Sequence, residues 1–342
     1  MKKEWEFGLQ EFPRSLMLRN GVKDKMNRLA VGVQSKNIVN DKHPAEGFEM
    51  MRRAGFTCCD FSLNDYLVIT ELYQYNRNEF FDRPIHDLKA FFEPYKAAAK
   101  AAGICINQMH MPYPVYVPGA PEALNEYLMK VVALRSMELC AYFNCPHIVV
   151  HGFKRARLLG SEQAEWERTE AFLQTLAPMA KELHITICME NLYISCGSHI
   201  VEGPCCDAVK AVSRIDRMNA EAGAEVFGFC FDTGHANLIG LDFEVFITTL
   251  GSRIKVLHIH DNDGIGDLHQ IPFTFTKGRE NKTSTDWDGF IKGLRKISFD
   301  GVLSFETAPV LTAFPDRMKQ DVLSFIAEIG EYFAGEISEK TC

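Results

Sequence analysis

The stretch "VFGFCFDTGHANLIG" (residues 226–240) decides how the rest of the chain is read. Its first six residues are an unbroken apolar run that ends on Asp232, and His235 follows three residues later. An apolar run without polar alternation marks a strand buried on both faces, as in a parallel sheet covered by helices. A carboxylate at the end of such a strand is costly unless it is paired, hydrogen-bonded or bound to a cation. Taken alone, Asp232 would be read as a helix cap or a satisfied core group. The neighbouring strands have to decide.

Seven more runs of this type recur along the chain: "RLAVGVQS" (28–35), "GFTCCDFSL" (55–63), "GICINQMH" (103–110), "PHIVVHG" (146–152), "ITICMEN" (185–191), "IKVLHIHD" (254–261) and "GVLSFET" (301–307). Helix-sized segments separate them. Residues 85–103 end on a glycine stop, 121–143 open on a proline, and 161–184 open on a serine cap followed by acidic residues. Shorter helical patterns fill the later gaps, and a last helix is expected from Phe314 to Phe333. Eight β/α units predict a (β/α)8 TIM barrel, an α/β fold. The expected organisation is one barrel domain over 28–342 preceded by a short N-terminal lead-in over 1–27. No strand is followed by GxGxxG or GxxxxGK[ST], which argues against a dinucleotide or Walker-type phosphate site.

Composition narrows the class further. The 342 residues are 46% apolar and 24% charged, the balance of a globular protein with a large core. A formal net charge of −8 argues against a nucleic-acid partner. No run approaches the roughly 20 apolar residues of a membrane span, and the N-terminus lacks the apolar stretch of a signal peptide. Eleven cysteines include no CxxC, and Cys58–Cys59 and Cys205–Cys206 are adjacent pairs. They are expected to be reduced, buried thiols in a cytoplasmic protein.

Six successive strands finish on side chains that can bind metal. These are His110, His151, Glu190, Asp232, the group His258, His260 and Asp261, and Glu306. In a barrel the C-terminal strand ends face the active site. One such residue is unremarkable; six at the same end of six strands point to one shared site.

With these residues in view the chain resembles the xylose-isomerase-like TIM-barrel superfamily, which includes sugar isomerases and epimerases, inosose dehydratase and endonuclease IV. The segments that carry the resemblance are "QMHMPY" (108–113), "VVHGF" (149–153), "CMENL" (188–192), "FDTGH" (231–235), "LHIHDND" (257–263), "DLHQIP" (267–272) and "SFET" (304–307). The resemblance implies one divalent metal held by Glu190, Asp232, His258 and Glu306. Three carboxylates and one imidazole favour Mn2+, Mg2+ or Co2+, with Zn2+ also allowed. It further implies a sugar or sugar-phosphate isomerase or epimerase, working by proton transfer next to a carbonyl through an enediolate, with Glu190 and Glu306 as the acid/base pair. His151 and His235 would hold substrate hydroxyls. His110, His260, Asp267 and His269 would contact substrate or surround the ligands. Lys154 would meet an anionic group, or else be a solvated surface lysine. The expected partner is a small carbohydrate, and association into a homo-oligomer is left open.

Two departures qualify this expectation. Gly264 and Cys196 stand where ketose 3-epimerases place an arginine and a further glutamate on substrate hydroxyls. The segment after "DLHQIP" is also longer and more aromatic than in many relatives. Three alternatives therefore stay open. One is a dehydratase or lyase for a keto-cyclitol or keto acid. Another is an endonuclease IV-like phosphodiesterase with three zinc ions on His110, His151, Glu190, Asp232, His235, His258, Asp267, His269 and Glu306. The third is a barrel without catalysis.

Overall fold

The computed structural model describes residues 29–154, 162–275 and 285–339. The lead-in over 1–27 and the serine cap at Ser161 lie outside them. The strands are β1 (Ala30–Gln34), β2 (Cys58–Ser62), β3 (Cys105–His110), β4 (His147–Val150), β5 (Thr186–Glu190), β6 (Tyr193–Cys196), β7 (His199–Glu202), β8 (Phe227–Asp232), β9 (Ile254–His258) and β10 (Val302–Phe305). All eight apolar runs contain one of them.

Eight strands form one parallel sheet in the order β10-β1-β2-β3-β4-β5-β8-β9. The two ends meet where Ile259 bridges Phe305. There the Ile259 N–H donates to the Ser304 carbonyl at 2.9 Å, and the Glu306 N–H donates to the Ile259 carbonyl at 3.1 Å. That closure makes a (β/α)8 barrel and removes both sheet edges.

Alternate side chains separate two apolar regions. Val149, Cys188, Cys230 and Val256 form a small cluster of their own, each two residues before a strand-end group at His151, Glu190, Asp232 or His258. The opposite face packs on the helices, where Phe61 meets Phe92, Tyr95 and Phe143 at ring-centroid distances of 5.0–5.9 Å. Among the described residues no helix is long and apolar enough to cross a membrane.

Local structure departs from expectation in three places. The predicted helix over 121–143 is one continuous rod, but Tyr127–Val132 widens into a π-type turn between Glu122–Glu126 and Ala133–Tyr142. The last helix runs Lys319–Ser338 rather than 314–333. Pro315 forces the residue before it out of the helical region, and Phe314 is extended with φ −102° and ψ 151°. Finally β6 and β7 form an antiparallel hairpin, with Cys196 opposite His199. The two-residue Gly197-Ser198 connection is the sequence signal that would have revealed it.

The last helix closes the β10–β1 seam and shows how tightly. A methyl added at Gly330 would lie 2.3 Å from Val31 Cγ1 and 3.0 Å from Phe305 Cε2, whereas one added at Gly335 meets nothing within 4 Å. Gly330→Ala is therefore expected to destabilise the fold by about 1–3 kcal/mol through overpacking. Gly335→Ala, in the same helix, should stabilise it by roughly 0.5–1 kcal/mol through helix propensity. Denaturant unfolding of the two variants checks the opposite signs.

Candidate metal centre

Asp232 does two jobs, which answers the question its position raises. Its backbone is extended and it caps the short helix Thr233–Leu238: the His235 N–H donates to Asp232 Oδ1 at 2.7 Å. The simple reading of a capping carboxylate is correct as far as it goes. Yet Asp232 is wholly buried, and Oδ2 faces His260 Nε2 at 3.1 Å and His258 Nδ1 at 3.7 Å.

Four strand ends converge at this point. One ligand atom each from Glu190, Asp232, His258 and Glu306 lies within 4.8 Å of the others. His258 Nδ1 is 3.0 Å from Glu190 Oε1 and 3.3 Å from Glu306 Oε2. Its other nitrogen, Nε2, lies 3.3 Å from Asp60 Oδ2, and both residues are fully buried. A carboxylate behind a histidine fixes the ring and its tautomer, the usual arrangement behind a metal-binding imidazole. From β1, Gln34 Nε2 donates to Glu306 Oε1 at 2.6 Å and holds that carboxylate in place.

The donor set fits a divalent cation. Among the described residues no lysine or arginine forms an ion pair with any of the three carboxylates, and Glu190 Oε2 faces the imidazoles of His151 and His110. Burial alone would raise the Glu190 carboxyl. The imidazoles of His258, His151 and His110 outweigh it and hold the group well below the usual carboxylate range. Burial acts on Glu306 in the same sense, but His258 and His269 bring it down to about 2. Both are carboxylates at neutral pH, the form a cation requires.

The other expected residues surround this centre. His151 Nε2 is 2.8 Å and His110 Nε2 3.5 Å from Glu190 Oε2. Burial depresses His151 to about 4 against the pull of Glu190, so its ring is neutral at pH 7. His235 Nε2 and His269 Nε2 lie 3.5 Å and 3.3 Å from Asp267 Oδ2. His260 is buried and stacks on His269, with centroids 4.0 Å apart. Lys154 is exposed, its Nζ 5.0 Å from the Tyr193 ring centroid. Asp261 alone turns away: it accepts from Thr285 Oγ1 and from the Phe275 N–H.

Above the centre is a cavity of about 440 Å3, with Glu190, Glu306, His110, His151, His235 and Asp267 in its lining. Tyr113 stacks on His151 at 4.4 Å and forms one wall; Tyr193 of the β6–β7 hairpin forms another. Sequence reasoning missed Asp60, Gln34, Tyr113 and Tyr193. Asp60 carried a usable signal, since it is a carboxylate inside the apolar run "GFTCCDFSL".

Asp60→Asn keeps the size of the side chain but removes the charge behind His258. It is expected to weaken divalent-metal binding about 10–100-fold with the circular dichroism spectrum unchanged. Calorimetric titration of the metal-free protein checks this; unaltered affinity would show that Asp60 does not set the ring.

A family model described as xylose isomerase-like TIM barrel matches residues 48–327. D-psicose 3-epimerase, solved in the presence of D-fructose, is similar with a TM-score of 0.62 at 14% identity, over 90% of this chain and 100% of that one. The 3-keto-D-glucoside 4-epimerase of E. coli is similar with a TM-score of 0.61 at 15% identity, over 88% and 100%. At such identities the likeness is one of fold. An uncharacterized protein, y4fM, of Sinorhizobium fredii is 33% identical over 91 residues, so the match spans 27% of each chain. The family model covers most of the barrel, from the helix after β1 into the last helix, and on that ground the chain belongs to the xylose isomerase-like TIM barrel family.

Proposed function

We propose that this chain is a divalent-metal-dependent sugar or sugar-phosphate isomerase or epimerase, built as one barrel domain over 28–342 behind a lead-in over 1–27. The observation that carries the reading is the pair Glu190 and Glu306. They come from β5 and the end of β10, and they converge with Asp232 and His258 beneath one open cavity. The two similar epimerase structures support it through their shared fold and their sugar substrates.

Glu190, Asp232, His258 and Glu306 would hold the metal, which when bound supplies polarisation of a substrate carbonyl. The chain's own part is proton transfer on the carbon beside that carbonyl. One glutamate takes the proton, and the other, protonated in the substrate complex, returns one to the opposite face. His151, neutral and 2.8 Å from Glu190 Oε2, links Glu190 to the cavity for proton exchange. His235 and Tyr113 are placed to hold substrate hydroxyls, and Lys154 to meet a phosphate or another anionic group. A protein without an arginine at Gly264 or a glutamate at Cys196 would hold its sugar differently from a ketose 3-epimerase.

A second reading is favoured by one observation. His110, His235 and His269 each place Nδ1 within 2.8–3.0 Å of a backbone carbonyl, of Met111, Asn191 and Glu306 respectively. Each Nε2 is thereby turned toward a carboxylate, Glu190 for the first and Asp267 for the other two. These are further donor groups flanking the first centre. They suit the multi-metal phosphodiester cleavage of an endonuclease IV-like enzyme.

Solvent-deuterium exchange into a panel of ketoses with Mn2+ tests the first reading. Glu190→Gln and Glu306→Gln should each lose about 10²–10⁴-fold in epimer formation, while each still exchanges deuterium into one epimer, and not the same one. Wild-type turnover by both variants with metal bound would exclude the two-glutamate mechanism. Chelator-sensitive cleavage of abasic-site DNA, with no ketose exchange, would select the second reading instead.

A further inference from the structure

At the opposite end of the barrel from the metal centre, Cys58 opens β2 and Cys105 opens β3, and the two are directly paired in register. Neighbouring strands lie about 4.8 Å apart, and a disulfide needs Cα atoms roughly 4.4–6.8 Å apart. Paired residues also project their side chains to the same face of the sheet. The ladder is intact here: the Cys105 N–H donates to the Thr57 carbonyl at 3.0 Å. On the other side of β2 stands Gly32, where even a methyl would come within 3.1 Å of Cys58 Cβ, so no side chain from β1 crowds the thiol. Each thiol acts on the acidity of the other from these paired positions.

Their surroundings differ, and the difference sets an order of reaction. Cys105 is exposed, contrary to the expectation of uniformly buried thiols, while Cys58 is 7% exposed. Cys58 draws the Cys105 thiol down to about 7 against the effect of burial. Cys105 in turn pushes Cys58 up. A second pair of neighbouring thiols among the described residues, Cys140 and Cys145, is inaccessible. Both are buried, and their Sγ atoms lie 3.2–3.6 Å from the carbonyls of Cys145 and His147.

We propose that Cys58 and Cys105 form a dithiol that small-molecule disulfides oxidise reversibly to an intramolecular disulfide, with Cys105 reacting first. The Cys105 thiolate attacks one sulfur of a glutathione-type disulfide. A bond forms to that sulfur, and the other half leaves as a thiolate. Cys58 then gives up its proton and attacks Cys105 Sγ, closing the Cys58–Cys105 bond and expelling the second thiol. The protein dithiol loses two electrons and the external disulfide gains them as two thiols. The site does not depend on the metal centre or on the reaction proposed there.

The test uses the intact folded protein with oxidised glutathione, followed by alkylation of free thiols and peptide mapping by mass spectrometry. Wild type should yield a peptide pair crosslinked through Cys58 and Cys105, released again by reduced glutathione. Cys58→Ser should stop at a stable glutathione adduct on Cys105, and Cys105→Ser should leave Cys58 unmodified. The initial rate should rise as pH passes through about 7, where Cys105 becomes a thiolate. Wild-type mapping decides alone if a variant fails to fold. A glutathione adduct on Cys105 without the crosslink would overturn the proposal. So would a crosslink between Cys140 and Cys145 instead, or both thiols remaining free at every glutathione ratio.

Discussion

Burying three carboxylates around one imidazole is the constraint on which the upper half of this barrel depends. Glu190, Asp232 and Glu306 approach His258 Nδ1 within 3.0–3.7 Å in a region where no lysine or arginine of the described chain reaches them. Such a cluster is strongly unfavourable without compensation. Part of that compensation is internal: imidazoles surround the carboxylates, the Thr233–Leu238 helix presents its N-terminus to Asp232, and Gln34 donates to Glu306. A bound cation would supply the rest, and the strand ends are arranged as ligands require.

The motifs around the site are also fasteners. Asn191 clamps the backbone of Asp232 from both sides: its Nδ2 donates to the Asp232 carbonyl and its Oδ1 accepts from the Asp232 N–H, each at 2.9 Å. Thr233 Oγ1 donates to the His260 carbonyl at 2.8 Å and accepts from the His260 N–H at 3.0 Å. Asn262 Nδ2 donates to the Gly234 carbonyl at 2.8 Å. Gly234 itself has no alternative, since a Cβ there would lie 1.9 Å from His260 Cε1. The segments "FDTGHAN" and "HIHDND" therefore hold β8 and β9 in the relation that brings Asp232 and His258 together. Side chains outside the proposed ligand set thus fix the geometry of those within it.

The fold was legible in the sequence because parallel strands buried on both faces leave uninterrupted apolar runs, and all eight stood out. The candidate metal centre was legible because the four residues proposed to hold the cation stand at the ends of four such strands. What lay around it was less so. Asp60 is five barrel strands before His258 in chain order, and nothing local in "CCDFS" states that β2 faces β9 across the barrel. Asn191 and Gln34 are ordinary polar residues whose partners are fixed only by the pairing of β5 with β8 and of β1 with β10. The β6–β7 hairpin escaped notice because its strands are short and half exposed, although they carry Tyr193 into the cavity wall. Long-range pairing, rather than local propensity, determines all of these.

The proposed function requires Glu190, Asp232, His258 and Glu306 to make one cation site. Anomalous diffraction from crystals grown with Mn2+ tests it most directly. A peak is expected within about 2.0–2.6 Å of an oxygen from each of the three carboxylates and of His258 Nδ1. Absence of a peak at that point, or a peak only beside Asp267 and His269, would contradict it.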